Sequence, residues 1–227
     1  MRKIKFVKKE FYHILNRGVD KRIIFPEQDD INRFFQSMKE FNVIEPIGSI
    51  YENSFNKNKL GNLVSKLEGG NDKQGKLVNF ICYCLNPNHY HFILEQLVED
   101  GIAKLMHKIG LGYTKYINEK YNRSGSLFQG TFKAVHINTN AQLLHTSAYV
   151  NLNDEVHQLG NLVSKLGKSS WKEYINEDIK DPFCKKDIIL GQFKNKADYK
   201  KFAEESLEYI LEKRYIDEKG EKELFLE

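Results

Sequence analysis

Apolar runs of membrane-spanning length are missing from this chain: no stretch approaches the roughly 20 residues that a bilayer span requires. Cysteine is scarce. The three present, Cys82, Cys84 and Cys184, form neither a disulfide framework nor a zinc-ligand spacing. Cys82 and Cys84 lie two apart inside an apolar run, where buried thiols belong, so a reducing, cytoplasmic setting is expected. The opening MRKIKFVKKE is basic but has no apolar stretch behind it, and no secretory leader is expected. Four prolines and 15 glycines in 227 residues exclude collagen-like and proline-rich disordered classes. What is left is an ordinary globular composition, 41% hydrophobic and 29% charged, with length for one substantial domain and a small appendage.

The formal net charge of +4 is unevenly spread. Residues 1–25 hold eight Lys/Arg against two acids, and residues 101–135 hold six against one. From Trp171 onward twelve basic residues meet fifteen acidic ones. A phosphate-rich partner therefore fits the first two-thirds of the chain, although a solvated charged surface would give the same counts.

Hydrophobic periodicity divides the chain. Phe11–Asn16 (FYHILN) reads as a strand ended by Arg17-Gly18. Ile31, Phe34, Phe35, Met38 and Phe41 recur at helical spacing within Asp29–Phe41. A polar insertion at about 48–75 follows. Lys76–Leu85 (KLVNFICYCL) and His89–Leu97 read as strands joined in a hairpin through Asn86-Pro87-Asn88. Ile102–Tyr121 reads as a helix, Thr131–Ile137 as a strand, and Ala141–Leu152 as a helix capped by Thr139 or Asn140. The order β-α-β-β-α-β-α predicts an α+β fold. The expected architecture is a ferredoxin-like split β-α-β sandwich, an antiparallel sheet with helices on one face, plus a small helical C-terminal extension. The expected division is residues 1–157 as the core domain and 158–227 as an extension packed on it, with a helix at Lys196–Lys213. The octapeptide LGNLVSKL occurs twice, at Leu60–Leu67 and Leu159–Leu166, and has no assigned role.

Within NPNHYHFIL, Asn86–Leu94, the strand period sends His89 and His91 to one face and Tyr90 to the other. Two imidazoles so placed make a bidentate metal platform, or an ordinary polar pair on a half-buried sheet. Downstream, YVNLN puts Tyr149 and Asn153 four residues apart on a predicted helix, where i and i+4 share a face. Tyr149 alone would pass for a core aromatic. Tyr113 and Tyr116 are rival candidates on the preceding helix.

Four segments in order, FYHILNRG, LVNFICYCLNPNHYHFIL, YNRSGSLFQGTFKA and AYVNLN, resemble the HUH single-tyrosine transposases, namely REP-associated tyrosine transposases and their insertion-sequence relatives. The resemblance covers about Phe11 to His157. It implies a metal-dependent DNA nicking and strand-transfer enzyme acting on single-stranded or hairpin DNA. Tyr149 would be the nucleophile, forming a 5′-phosphotyrosine, and His89, His91 and Asn153 would hold Mg²⁺ or Mn²⁺. Tyr113 and Tyr116 precede the Arg-Ser-Gly turn, which is the wrong order for that family. Arg17, Lys21, Arg22, Lys115, Lys120, Arg123 and Lys133 are the cations expected to track a DNA backbone. Phe128 and Phe132 are expected in the core, and Gly18, Gly125 and Gly130 at turns with unusual backbone angles. No membrane partner is expected; a homodimer is left open. Two other readings stand beside this one, a domesticated hairpin-binding protein without cutting activity and a metal hydrolase without a covalent step.

Overall fold

The structure is a computed structural model and describes residues 4–45, 47–50, 75–156, 166–176, 179 and 182–219, with side chains up to residue 212. Both copies of LGNLVSKL, apart from Leu166, and nearly all of the polar insertion lie outside the described residues.

The strands are β1 (Phe11–Arg17), β2 (Val78–Asn86), β3 (His89–Gln96), β4 (Lys133–Ile137) and β5 (Lys168–Ser169). They form a five-stranded sheet of order β4-β1-β3-β2-β5, with β3 central, in which every paired neighbour is antiparallel. The first four form the expected split β-α-β arrangement. β5 is an edge strand of two residues that no sequence pattern announced.

Helix α1 (Gln28–Glu40) starts in a reciprocal box: the Glu27 side chain accepts from the backbone at Asp30, and the Asp30 side chain accepts from the Glu27 N–H. With α2 (Gly101–Lys120) it covers one face of the sheet, around Phe25, Phe34, Tyr90, Phe92 and Tyr113. Phe128 is buried in this core and Phe132 packs against it, as expected.

One expectation is corrected. Helices cover both faces, not one. Helix α3 (Asn140–Asn151), short α4 (Asn153–Val156) and the C-terminal helices α5 (Trp171–Ile175), α6 (Asp187–Leu190) and α7 (Lys196–Lys219) lie on the opposite face. There Ile81, Cys82, Cys84 and Ile93 meet Leu143, Ala148, Val150, Tyr174 and Tyr199. The physical reason is visible in β2, which is buried at almost every position rather than at alternate ones. A strand whose two faces are both covered must be apolar at both parities, and NFICYCL is nearly so.

Thr139 caps α3, its side chain accepting from Gln142 N at 3.1 Å. Gly18 departs from the expectation of an unusual angle: its φ is −64°, and glycine is needed there because a Cβ would collide with the Arg22 carbonyl. Gly125 and Gly130 do have positive φ, 84° and 68°.

Candidate active site

The site is built on the second face, at the end of the sheet where β3 begins. The antiparallel register sets His89 opposite Arg17 on β1 and Asn86 on β2, and His91 opposite Leu15 and Cys84. His13, two residues before Leu15 on the same face, reaches His91 diagonally: its Nε2 lies 2.9 Å from His91 Nδ1, and the two rings stack with centroids 5.1 Å apart.

Helix α3 then crosses this face. Tyr149, half-buried, sets its ring edge-on to His91 at 5.5 Å and to His13 at 6.1 Å between centroids. The helix ends at Leu152, so Tyr149 and Asn153 do not share one continuous helix; Asn153 opens α4. The chain reversal aims Asn153 inward all the same. It is fully buried, and its Oδ1 lies 3.0 Å from His89 Nε2 and accepts from Asn86 Nδ2 at 2.7 Å. Its Nδ2 is a buried polar atom without a hydrogen-bond partner.

Neighbours fix the state of His89. Its Nδ1 stands 2.6 Å from Asn88 Oδ1, an oxygen that only accepts, so Nδ1 carries a proton. The Asn88 amide nitrogen faces the Lys21 carbonyl at 3.4 Å, which sets its orientation. His89 Nε2 and Asn153 Oδ1 lie 3.0 Å apart, and the Asn86 amide nitrogen lies against both, 3.0 Å from the imidazole. Burial lowers the His13 pKa to about 4, so His13 is a neutral imidazole near pH 7. The atom types fit a divalent cation: the imidazole nitrogens of His89 and His91 and the carboxamide oxygen of Asn153 gather at one place, with His13 against His91 Nδ1. Among the described residues no group of three or more His, Cys, Asp or Glu could hold a metal. The set of two imidazoles and a carboxamide contains no carboxylate, which suits a cation that takes part of its shell from substrate phosphate.

The rival tyrosines lie on the other side of the sheet. Tyr113 is buried, donates to the Ile24 carbonyl at 2.8 Å, and is pushed up in pKa by burial. Tyr116 donates to Asp30 at 3.0 Å. Neither faces the histidines.

The seven expected cations divide into groups. Arg17 stands opposite His89, and its Nε donates to Gln129 at 2.5 Å. Lys133 lies on β4 opposite Leu15, in the row that continues to His91. Lys21 and Arg22 are exposed on the loop bound to the β2–β3 turn through Gly18 N to Asn88 O and Ile24 N to Pro87 O. Lys115 and Arg123 border a shallow trough along α2 with Leu111, Thr114 and Asn118, away from the histidines. Lys120 is engaged structurally: its Nζ lies 2.8 Å from the buried Asp30 carboxylate and 3.4 Å from Glu27, and its hydrogen bond to Asp30 raises its pKa. Sequence reasoning missed His13, Asn86 and Asn88. His13 had a signal in the period-2 pattern of FYHILN, but only the β1–β3 register brings it to His91.

Residues 52–153 match the family described as "Transposase IS200 like". Among solved structures, the chain is similar to a REP-associated tyrosine transposase bound to a REP hairpin, at 13% identity over 80% of this chain and 93% of that one, with a TM-score of 0.46. It is also similar to the tRNA(His) guanylyltransferase of Saccharomyces cerevisiae, at 11% identity over 93% of this chain and 80% of that one, with a TM-score of 0.33. No curated protein matches the sequence. The family match, which spans the His-Tyr-His strand and the tyrosine helix, supports the resemblance of this part of the chain to IS200-like, HUH-type tyrosine transposases.

Proposed function

We propose that the protein nicks and rejoins single-stranded or hairpin DNA through a 5′-phosphotyrosine on Tyr149. The observation that carries this reading is that His89, His91, Asn153 and Tyr149, drawn from β3, α3 and α4, meet on one face of the sheet in a single chain.

The chain's own groups define the chemistry. The Tyr149 oxygen attacks the scissile phosphorus, the bond to the 3′ oxygen breaks, and that oxygen leaves as a hydroxyl while the phenol proton is lost. The new phosphotyrosine keeps the energy of the broken diester, so a second 3′-OH can reverse the step without ATP. A free tyrosine has a pKa near 10, and ionising it at pH 7 costs about 4 kcal/mol at 1.36 kcal/mol per unit. Mg²⁺ or Mn²⁺ bound by His89, His91 and Asn153 would supply charge neutralisation at the phosphate. His13 and Asn88, each against Nδ1 of one imidazole, would favour the tautomers in which Nε2 serves the ion. Arg17 and Lys133, at the ends of the same cross-strand rows, suit the flanking phosphates.

The test is incubation with labelled single-stranded hairpin DNA and Mn²⁺. A covalent adduct that disappears in Tyr149→Phe supports the reading. Cleavage without an adduct would favour a hydrolase, and binding with neither would favour a domesticated binding protein.

A further inference from the structure

The chain from Lys168 onward does no chemistry in this scheme, yet it is joined to the tyrosine helix by a continuous buried polar seam. The Tyr199 hydroxyl on α7 accepts from Asn151 Nδ2 at 2.9 Å and lies 3.1 Å from Ser147 Oγ. The Asn151 Oδ1 accepts from Ser170 Oγ at 2.5 Å. Ser170 in turn receives Tyr83 N on its hydroxyl at 2.9 Å and donates its own N–H to the Tyr83 carbonyl at 2.9 Å. Ser147, Asn151, Ser170 and Tyr199 are all fully buried. The seam thus runs from α7 through α3 to the start of α5 and into β2. Aromatic contacts of Tyr199 with Tyr174, Phe193 and Trp171 close it off from water.

Two features give this seam a direction. Asn151 is the last residue of α3, two after Tyr149 and two before Asn153, so whatever fixes Asn151 fixes the helix end that carries Tyr149 and from which the chain turns to Asn153. The seam is also fully matched, donor to acceptor, in a dry setting, where losing one member leaves the rest unpaired. That makes it a registry device rather than diffuse packing. On the opposite side of α3, Tyr149 makes its ring contacts with His91 and His13 of the same chain.

We propose, on the strength of the functional reading above, that the C-terminal extension is a clamp that completes the active site within one chain. Tyr199 and Ser170 are positioning residues that act through Asn151 to hold Tyr149 and Asn153 against that chain's own histidines. A tyrosine helix tied this way is not free to serve a second copy.

Two measurements test it. First, differently tagged His89→Ala and Tyr149→Phe chains are co-expressed and given hairpin DNA with Mn²⁺. No adduct on the His89→Ala chain is expected; an adduct there, on its intact Tyr149, would overturn completion in cis. Second, Tyr199→Phe removes one oxygen and leaves the core aromatic. Amide exchange in Leu143–Asn153 should rise by about tenfold while α2 is unchanged, since one buried hydrogen bond and its stranded partners are lost. The rate of adduct formation should fall about as much with DNA affinity held within about twofold. Unchanged exchange in α3 would overturn the clamp whether or not the wild-type protein forms an adduct, whereas absence of a wild-type adduct with raised exchange would count against the proposed chemistry alone.

Discussion

Replacing His13 by leucine removes one hydrogen bond at the heart of the site and leaves the imidazole of His91 without its orienting partner. The magnitude can be worked out. Removing the outer partner of a ligating histidine lowers metal affinity by about 10- to 100-fold, or about 1.4–2.7 kcal/mol. The His13 ring in the His13–His91 contact is neutral, because burial lowers its pKa to about 4. Neutral hydrogen bonds contribute about 0.5–1.5 kcal/mol net, roughly half of what charge-assisted ones do. The loss should therefore fall at the low end, about tenfold in the Kd for Mn²⁺, read by titration calorimetry on the protein with hairpin DNA present. His13→Gln keeps an acceptor oxygen for His91 Nδ1 and should stay within about threefold of wild type. The reasoning fails if His13→Leu binds Mn²⁺ as tightly as wild type, or if His13→Gln is as weak as His13→Leu.

Two further outcomes follow from the other face of the sheet and from the charge layout. Burial raises the Asp30 carboxyl pKa, but hydrogen bonds from Lys120, Tyr121 and Tyr116 outweigh it and hold the net value below 3.8. Asp30→Asn should cost about 2 kcal/mol in urea unfolding at neutral pH, less than a fully buried pair because Lys120 is partly solvated. A depressed carboxylate stabilises above its unfolded pKa, so the gap between wild type and Asp30→Asn should close as pH falls below 3.8; a gap that persists in acid would refute the assignment. For DNA, Arg17→Ala and Lys133→Ala should each lower the slope of log affinity against log salt by about one. Lys120→Ala should leave the slope alone and lower stability instead, and a lower slope for Lys120→Ala would return it to the DNA surface.

The strands and helices were legible because their hydrophobic periods are clean, and the hairpin was legible because Asn86-Pro87-Asn88 breaks the run. Helix α3 was legible through Thr139; Tyr149 and Asn153 were singled out by the family resemblance and an i, i+4 spacing on one helix, and the helix ends between them. The missing pieces depend on pairing. His13 meets His91 only through the β1–β3 register, and a sequence period gives the face of a side chain without its cross-strand neighbour. The second helical layer was hinted at by the unbroken apolar character of NFICYCL, which alternation on a one-sided sheet would not produce. Lys120 counted as a free cation because Asp30 is ninety residues away in the chain, and only the packing of α1 on α2 brings them together.

The central claim is that Tyr149 is the nucleophile served by His89, His91 and Asn153, and peptide mass spectrometry of the trapped adduct tests it most directly. Wild-type protein reacted with single-stranded hairpin DNA and Mn²⁺, then digested, should yield a nucleotide joined through its 5′-phosphate to the peptide carrying Tyr149. His89→Ala should yield none. A nucleotide on any other tyrosine, or an adduct of equal yield from Tyr149→Phe, would contradict the account.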